Sequence, residues 1–510
     1  MLGYDFCARP PARRSATLVF LAVLSLYAAT AGGSLATQDA SAVYAQTRSL
    51  VERGTADVPP EISGPAWLGV DGRYHLPFGI GQALYNIPFY LAGKLAIRLT
   101  GVRIGNSDDT VLKASVLLGN AVAGALCASL VFMFSWRLTG RERHSVAAAV
   151  LYAVGSLAWT YSKFGFNAMP TAVMLAGGMY GVWSGVKLER VAPVAWGGAA
   201  LAFAFLTRHE MLLAGIVCIL WTASAARPQC RRRQVGCLTG VLGLAILSWA
   251  WYNTVRFGGP LETGHHPAFG GLGLLGLTLS PAASVFLYAP LVGVGLIVLM
   301  RLWRDGHSYA RLAVPVLAVL FVFYALLEDW MGTRSYGPRY LVPLLALVYA
   351  PLAIVPALGW RTWATRLAIG VAVLSVAVQM PGVLVNLATV GEADGLPSPN
   401  REPFAWRSSP LVRNSAALMT AVPANARYLA GTDRPPGSRP VPGEAAAPAG
   451  ELSGRLAFSL DLWWLYLFHL GRLTAPKALG LAAGLLLSAG LLLSAVLRRS
   501  APALWHTGGA

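Results

Sequence analysis

The chain has 510 residues, of which 55% are hydrophobic and 12% charged, about half the charged fraction of an ordinary soluble domain. That balance excludes a soluble enzyme. With 40 Lys and Arg against 22 Asp and Glu, the formal net charge is +18, a value that either membrane topology or nucleic-acid binding could produce.

The charges bunch between twelve apolar runs: residues 15–35, 111–136, 145–161, 170–186, 191–207, 211–226, 235–251, 283–302, 312–327, 340–358, 367–387 and 478–497. Runs of this length cross a bilayer, and each is expected to be a helix because a helix satisfies its own backbone in lipid. The fold class that follows is an all-α polytopic membrane protein with about twelve transmembrane helices and a long first extracytoplasmic loop carrying surface helices. With the N-terminus inside, every short loop on the cytoplasmic side is basic. Those segments hold nineteen of the 40 Lys and Arg, while the outer loops carry eighteen of the 22 acids. The charge is therefore read as topology and attraction to lipid headgroups, and no nucleic-acid partner is expected. Both termini are expected in the cytoplasm, in a cell membrane (the inner membrane where there are two). Arg13 and Arg14 before an apolar stretch also fit a cleaved signal peptide. An uncleaved signal anchor is preferred because the stretch is long and eleven more runs follow.

The organisation expected is a catalytic core at 1–387 with its first outer loop at 36–110, an extracytoplasmic segment at 388–476, and a last helix with a cytoplasmic tail at 477–510. In the first loop, residues 79–99 are apolar but interrupted by Gln82, Asn86, Pro88 and Lys94, and read as a helix lying on the outer surface. The loop at 252–282 contains Gly271, Gly273 and Gly276 in a GxGxxG pattern, discounted because no βαβ context surrounds it. Its His265-His266 pair has no third ligand and reads as ordinary loop. Residues 431–454 are rich in Pro, Gly and Ala and read as a flexible linker, and the stretch from Asp461 to Tyr466 reads as an aromatic interfacial segment. None of the five cysteines falls in an outer loop, so no extracytoplasmic disulfide is expected.

Three places could carry chemistry. Asp39 and Asp71 are the acids best placed in the first loop, where a carboxylate can take a proton from an attacking hydroxyl; the alternative for Asp39 is that it caps an amphipathic surface helix over 40–53. Arg208, in the polar knot Thr207-Arg208-His209-Glu210, lies either within one bent helix or in an outer turn where it could pair with Glu210. Arg339 and Tyr340 close the short outer turn at 328–340, and arginine's planar fork suits a phosphate as well as it suits anchoring a helix end.

Read together, Gln38-Asp39, the run at 71–82 (DGRYHLPFGIGQ) and the run at 335–341 (SYGPRYL) resemble the GT-C membrane glycosyltransferases, the bacterial lipid-linked-sugar enzymes related to the protein O-mannosyltransferases and the lipid A aminoarabinose transferase. Supporting matches are Thr207-Arg208, residues 253–258 followed by Pro260-Leu261-Glu262, and Ser280-Pro281 with Phe286 to Pro290. The resemblance implies that Asp39 activates the acceptor and that Arg208 and Arg339 lie near a lipid phosphate. Asp71 is the second catalytic candidate, and Arg73 and Tyr340 join the two arginines as substrate-binding candidates. Two departures stand out: related enzymes often have Lys where this chain has Leu76, and an acid before Pro where it has Met169-Pro170.

The activity expected is transfer of a hexosyl or pentosyl group from a polyprenyl-phosphate-linked sugar to an extracytoplasmic acceptor, whether lipid, glycan or protein. The partners are that donor, that acceptor and the bilayer. No cofactor is expected, and the metal requirement stays open. The rival readings are a polytopic secondary transporter, which should show related halves and midplane polar residues, and a lipid-linked sugar flippase without transferase chemistry.

Overall fold

The computed structural model describes residues 6–7, 13–32, 35, 37–62, 66–101, 108–264, 268–332, 335–385, 402–431 and 460–499. The His265-His266 pair, Arg334 and the linker beyond Gly431 lie outside these residues.

The chain is a helical membrane protein. Six helical stretches are long and apolar enough to cross a bilayer: Asp109–Thr139, Pro228–Phe257, Ser308–Leu326, Arg339–Ala357, Thr362–Leu384 and Ala475–Arg498. Shorter apolar helices, Val191–Thr207 and Met211–Ala225, fill two more of the expected runs. In chain order the elements are α1 (Arg13–Ala29), α2 (Gln38–Glu52), a hairpin of β1 (Trp67–Leu68) and β2 (Tyr74–His75), α3 (Gly81–Thr100), α4 (Asp109–Thr139), α5 (Glu142–Gly155), α6 (Leu157–Tyr161), α7 (Ala168–Lys187), α8 (Val191–Thr207), α9 (Met211–Ala225), α10 (Pro228–Phe257), α11 (Gly273–Leu279), α12 (Val285–Tyr288), α13 (Leu291–Arg304) and α14 (Ser308–Leu326). Then come a mixed 3-10 and α stretch over Arg339–Ala357 with α15 (Leu345–Tyr349) at its centre, α16 (Thr362–Leu384), α17 (Pro410–Leu429), α18 (Trp463–His469) and α19 (Ala475–Arg499).

Several expected boundaries move, each for a local reason. The first run is helical only to Ala29, so Asp39 lies ten residues past that helix and inside α2, not just beyond the end of a span. The run at 145–161 breaks at Ser156, whose extended backbone ends α5 while its hydroxyl caps α6. The run at 283–302 breaks between Tyr288 and Leu291, at Ala289-Pro290. Pro343, Pro351 and Pro356 turn most of 339–357 into 3-10 helix, since each removes an α-helical N–H. Gly276 of the discounted glycine pattern serves close packing, because a Cβ there would sit 2.3 Å from the Trp330 ring.

α4 and the 339–357 stretch are the most enclosed of the six, with 72% and 78% of their apolar windows buried against 17% in the last helix; α4 is the longer. Its 31 residues extend ~46 Å at 1.5 Å per residue, well past the ~30 Å hydrocarbon core. α3 packs along that overhang: the Tyr85 hydroxyl donates to Gly119 O at 2.8 Å, and a Cβ on Gly93 would meet Ser115. Leu84, Leu91, Leu95 and Leu99 stay exposed on α3, as a helix lying at an interface requires. The short basic loops collect at the opposite end, where Cys7 N donates to Arg137 O, Arg227 pairs with Glu189 and Trp183 donates to Ser308.

Candidate active site

At the loop-rich end a cavity of about 470 Å³ opens among α2, the start of α3, the α6–α7 connection, the α8–α9 turn and the head of the 339–357 stretch. Asp39, Arg208, Arg339 and Tyr340 all line it.

Asp39 owes its place to the start of α2. The Thr37 hydroxyl accepts from Ala40 N at 3.2 Å, so threonine is the cap, and Asp39 falls in the first turn where the helix dipole favours a carboxylate. The helix is moored at three points: Tyr44 donates to Asp109 at 2.6 Å, Tyr90 to Glu52 at 2.7 Å and the Gln46 amide to Ala56 O at 3.1 Å.

Arg339 reaches the same space from the far side of the chain. Its Nη1 lies 3.5 Å from Asp39 Oδ2 and its Nη2 donates to Tyr340 Oη at 3.4 Å. The Tyr340 hydroxyl in turn donates to Asp329 at 3.2 Å. The guanidinium lies 4.9 Å from the Phe166 ring centroid, within cation–π range. Gly332 makes this possible: its φ of +68° is open to glycine, and a Cβ there would sit 2.4 Å from Arg339 Nε.

Arg208 follows α8 in extended backbone, so two charges end the helix and α9 begins afresh at Met211. The two-helix alternative is the one adopted, with Arg208 in the turn between them, and the pairing with Glu210 forms at 2.9 Å through Nε. Tyr324 donates to the same Glu210 oxygen at 2.9 Å. Arg208 lies 5.2 and 5.0 Å from the Tyr324 and Tyr340 rings, which stack on each other at 13°. Among the described residues its one side-chain hydrogen bond uses Nε, which leaves both terminal nitrogens for a ligand. Burial pushes the Glu210 carboxyl up, but the Arg208 charge and the hydrogen bonds it accepts outweigh this and hold it below its usual range. Beside it, burial lowers His209 to about 4, so the imidazole is neutral at physiological pH.

The walls are set by small residues and side-chain amides. A Cβ on Gly79 or Gly81 would come within 2.2 Å of Leu206 or Thr207, so these glycines let the head of α3 dock on the end of α8. Gln82 donates to Gly165 O at 2.7 Å, and Asn120 donates to Phe164 O and, at 2.9 Å, to Phe166 O.

Asp71 and Arg73 are not among the lining residues. Asp71 sits in the β1–β2 turn, where it accepts from Arg73 N at 3.1 Å and pairs with His75 Nε2 at 3.0 Å. Slight burial raises its carboxyl, and these two partners bring it below the usual range. Arg73 is exposed on the same hairpin, which docks on the end of α10 through Val70 N and Arg256 O at 2.9 Å. The departure at Leu76 has a counterpart: Leu76 is fully buried, and its carbonyl accepts from Arg256, which also donates to Asn253 at 2.7 Å. Met169 is fully buried in α7, and the adjacent Asn167 and Ala168 line the cavity instead. Among the described residues no group of three His, Cys, Asp or Glu could hold a metal.

Sequence reasoning missed Tyr324, Asn167 and the buried Lys163–Asp461 pair behind the site. Tyr324 and Asn167 give no signal beyond a polar atom at the edge of an apolar run.

No protein-family profile and no curated protein matches the sequence. Among solved structures, the chain is similar to ArnT from Cupriavidus metallidurans in the apo state (14% identity, TM-score 0.49) and bound to undecaprenyl phosphate (16%, 0.45), in both cases over 95% of this chain and 77% of that one. It is also similar to the Archaeoglobus fulgidus oligosaccharyltransferase in the apo form (12%, 0.46), over 76% of this chain and 59% of the other. All of these are GT-C fold enzymes.

Proposed function

We propose that this protein is a membrane glycosyltransferase that moves a sugar from a polyprenyl-phosphate donor to an acceptor outside the cytoplasm, with the loop-rich end facing out. The observation that carries the reading is the convergence of Asp39, Arg339 and Arg208, the last paired with the second lining carboxylate, Glu210, in a single cavity at the end of an apolar helical bundle. An acceptor hydroxyl attacks the anomeric carbon, and the bond from that carbon to the phosphate oxygen breaks. Asp39 takes the hydroxyl proton, and the electron pair leaves with the phosphate. Arg208 and Arg339 face the charge that develops there, in a site where fixed donors need no reorganisation. In this scheme the leaving phosphate is held by hydrogen bonds from the two arginines, whose charges are shared with Asp39 and Glu210. Trp249, Phe323 and Leu327 line the same cavity and provide an apolar path for the isoprenoid. That similar structures include an ArnT bound to undecaprenyl phosphate and an oligosaccharyltransferase in complex with dolichol-phosphate is in keeping with this donor class.

The test is to incubate the purified protein with radiolabelled polyprenyl-phosphate sugars and membrane extracts. Label should move from the lipid to a second product. Lipid-linked label that crosses a proteoliposome bilayer but never leaves its carrier would establish the flippase reading instead.

A further inference from the structure

Behind the cavity, and absent from its lining, lies a charge pair sealed from solvent. Lys163 Nζ is 2.7 Å from Asp461 Oδ2, and each side chain is 3% exposed. Lys163 also donates to Asp461 O at 2.8 Å and to Val383 O. Asp461 accepts from Tyr466 Oη at 2.6 Å, and its backbone N–H donates to Leu384 O at 2.8 Å.

Such a pair is a poor way to gain stability, because desolvating two ions offsets their attraction and apolar pairs of similar size are often as stable. What it supplies is geometry, and three elements meet on it. The first is the α6–α7 connection, in which Phe166 follows Lys163 by three residues and lies under Arg339. The second is the end of α16, through Val383 and Leu384. The third is the exit of α1: a Cβ on Gly32 would sit 3.0 Å from Asp461 Oδ2. The strap that carries Asp461 holds that exit further on. The Trp463 and Trp464 indoles donate to Ala28 O at 2.7 Å and Ala29 O at 2.9 Å, and Trp463 N donates to Ala31 O at 3.0 Å. Those carbonyls have no intrahelical partner, as at any helix C-terminus, and the chain they belong to runs on to Thr37 and Asp39.

We propose that Lys163 and Asp461 are positioning residues for the transfer reaction. The pair fixes the α1 exit that leads to Asp39 and the loop that carries the ring under Arg339, so the C-terminal strap is part of the active site although it touches no substrate. The proposal rests on the glycosyltransferase reading for its kinetic consequence, but not for its geometric one.

The decisive variant is Lys163→Met/Asp461→Leu, which removes both charges and orphans neither. A misplacement of about 1 Å can cost ~10²-fold in rate. The expected result is a folded protein whose kcat falls ~10-fold or more while the KM for donor changes less than ~3-fold. Wild-type kcat in the folded double variant overturns the proposal. Should that variant fail to fold, Tyr466→Phe, which removes only the hydroxyl held by Asp461, should lower kcat several-fold, and an unchanged kcat in it overturns the proposal equally. A second readout is independent of the reaction. With the five native cysteines replaced by alanine, the rate at which Asp39→Cys reacts with a water-soluble thiosulfonate reports where residue 39 sits. The rate should change several-fold when the pair, or the Tyr466 hydroxyl, is removed. If it does not, the positioning role fails even where transfer is never detected, whereas inactivity of the wild type with a shifted rate removes only the glycosyltransferase reading.

Discussion

Asp39 Oδ2 and Arg339 Nη1 lie 3.5 Å apart across 300 residues of chain. Each is supported from behind, Asp39 by the first turn of α2 and Arg339 by the Phe166 ring and Tyr340. In the proposed reaction, a phosphate held by Arg339 would bring its sugar within reach of Asp39.

The Asp39→Asn variant keeps the shape of the side chain but cannot accept a proton at neutral pH. It should insert normally, bind donor, and lose transfer by ~10²-fold or more, the usual size of general-base catalysis. Near wild-type transfer by a correctly inserted Asp39→Asn protein would move the base elsewhere. Asp71, held by His75 and Arg73 in a hairpin turn, would then have to be tested by the same substitution.

For the phosphate site, Arg339→Ala should weaken donor binding by ~1.5 to 3 kcal/mol, the range for hydrogen bonds to a charged group. Arg339→Lys should recover only part of this, because a lysine cannot reproduce the planar fork that reaches toward Asp39 and Tyr340 together. Titration of a fluorescent polyprenyl phosphate into purified variants reads this directly, and equal affinities would take Arg339 out of the site.

The parts of this arrangement that could be read in the sequence share a property: they interrupt a pattern. Thr207-Arg208-His209-Glu210 cuts an apolar run in two, and α8 and α9 meet there, with Arg208 paired to Glu210 as the spacing allows. Asp39 is legible as an acid in the first polar loop and Arg339 as a cation in a short polar turn, the motif resemblance adds their roles, and the cavity brings them together. Asp71 and Arg73 had the same kind of support, but a turn built on Gly72, at φ +73°, sends them to the hairpin. Helix breaks inside uniformly apolar runs were hidden because such runs carry no phase to be disturbed. The Lys163–Asp461 contact was beyond reach for another reason. Its partners lie 298 residues apart, and each reads locally as an ordinary charge at the edge of an apolar or aromatic stretch.

The departure at Leu76 yields a stability prediction. The position is sealed, and the Arg256 guanidinium already occupies the neighbouring space through the Leu76 carbonyl and Asn253. Leu76→Lys would bury a second cation there without a partner, at a cost of ~3 kcal/mol or more. Leu76→Met conserves volume and should cost under ~1.5 kcal/mol. Thermal unfolding in detergent should separate the two variants clearly, and an active, fully stable Leu76→Lys protein would show that the cation can swing into the cavity.

Sidedness is tested by labelling. Glu61 is exposed at the loop-rich end and Arg232 is exposed near the opposite end. In a cysteine-free background, Glu61→Cys should react with a membrane-impermeant thiol reagent in intact cells, or in spheroplasts where an outer membrane intervenes. Arg232→Cys should react only after lysis. The reverse pattern would place the cavity in the cytoplasm and remove the extracytoplasmic acceptor from the proposal.

His209 makes stability depend on pH. Burial against Phe205 and Trp249 lowers its folded-state value to about 4, from 6.5 in the unfolded chain. As pH falls below 6.5 the unfolded chain takes up a proton that the folded one refuses, so folding loses stability until about pH 4, below which both states are protonated. The loss is at most ~1.4 kcal/mol per pH unit in that window. His209→Phe keeps the ring contacts and cannot titrate, so the gap in unfolding temperature between wild type and variant should shift against the wild type as pH drops from 7 to 5. Glu210 does not enter over this interval, because its carboxyl is held below the usual range and its contribution is lost only as pH falls below the ordinary value of 4.5. Parallel stability curves for the two proteins across that interval would mean that His209 is hydrated, and that the cavity behind Arg208 is wetter than its lining implies.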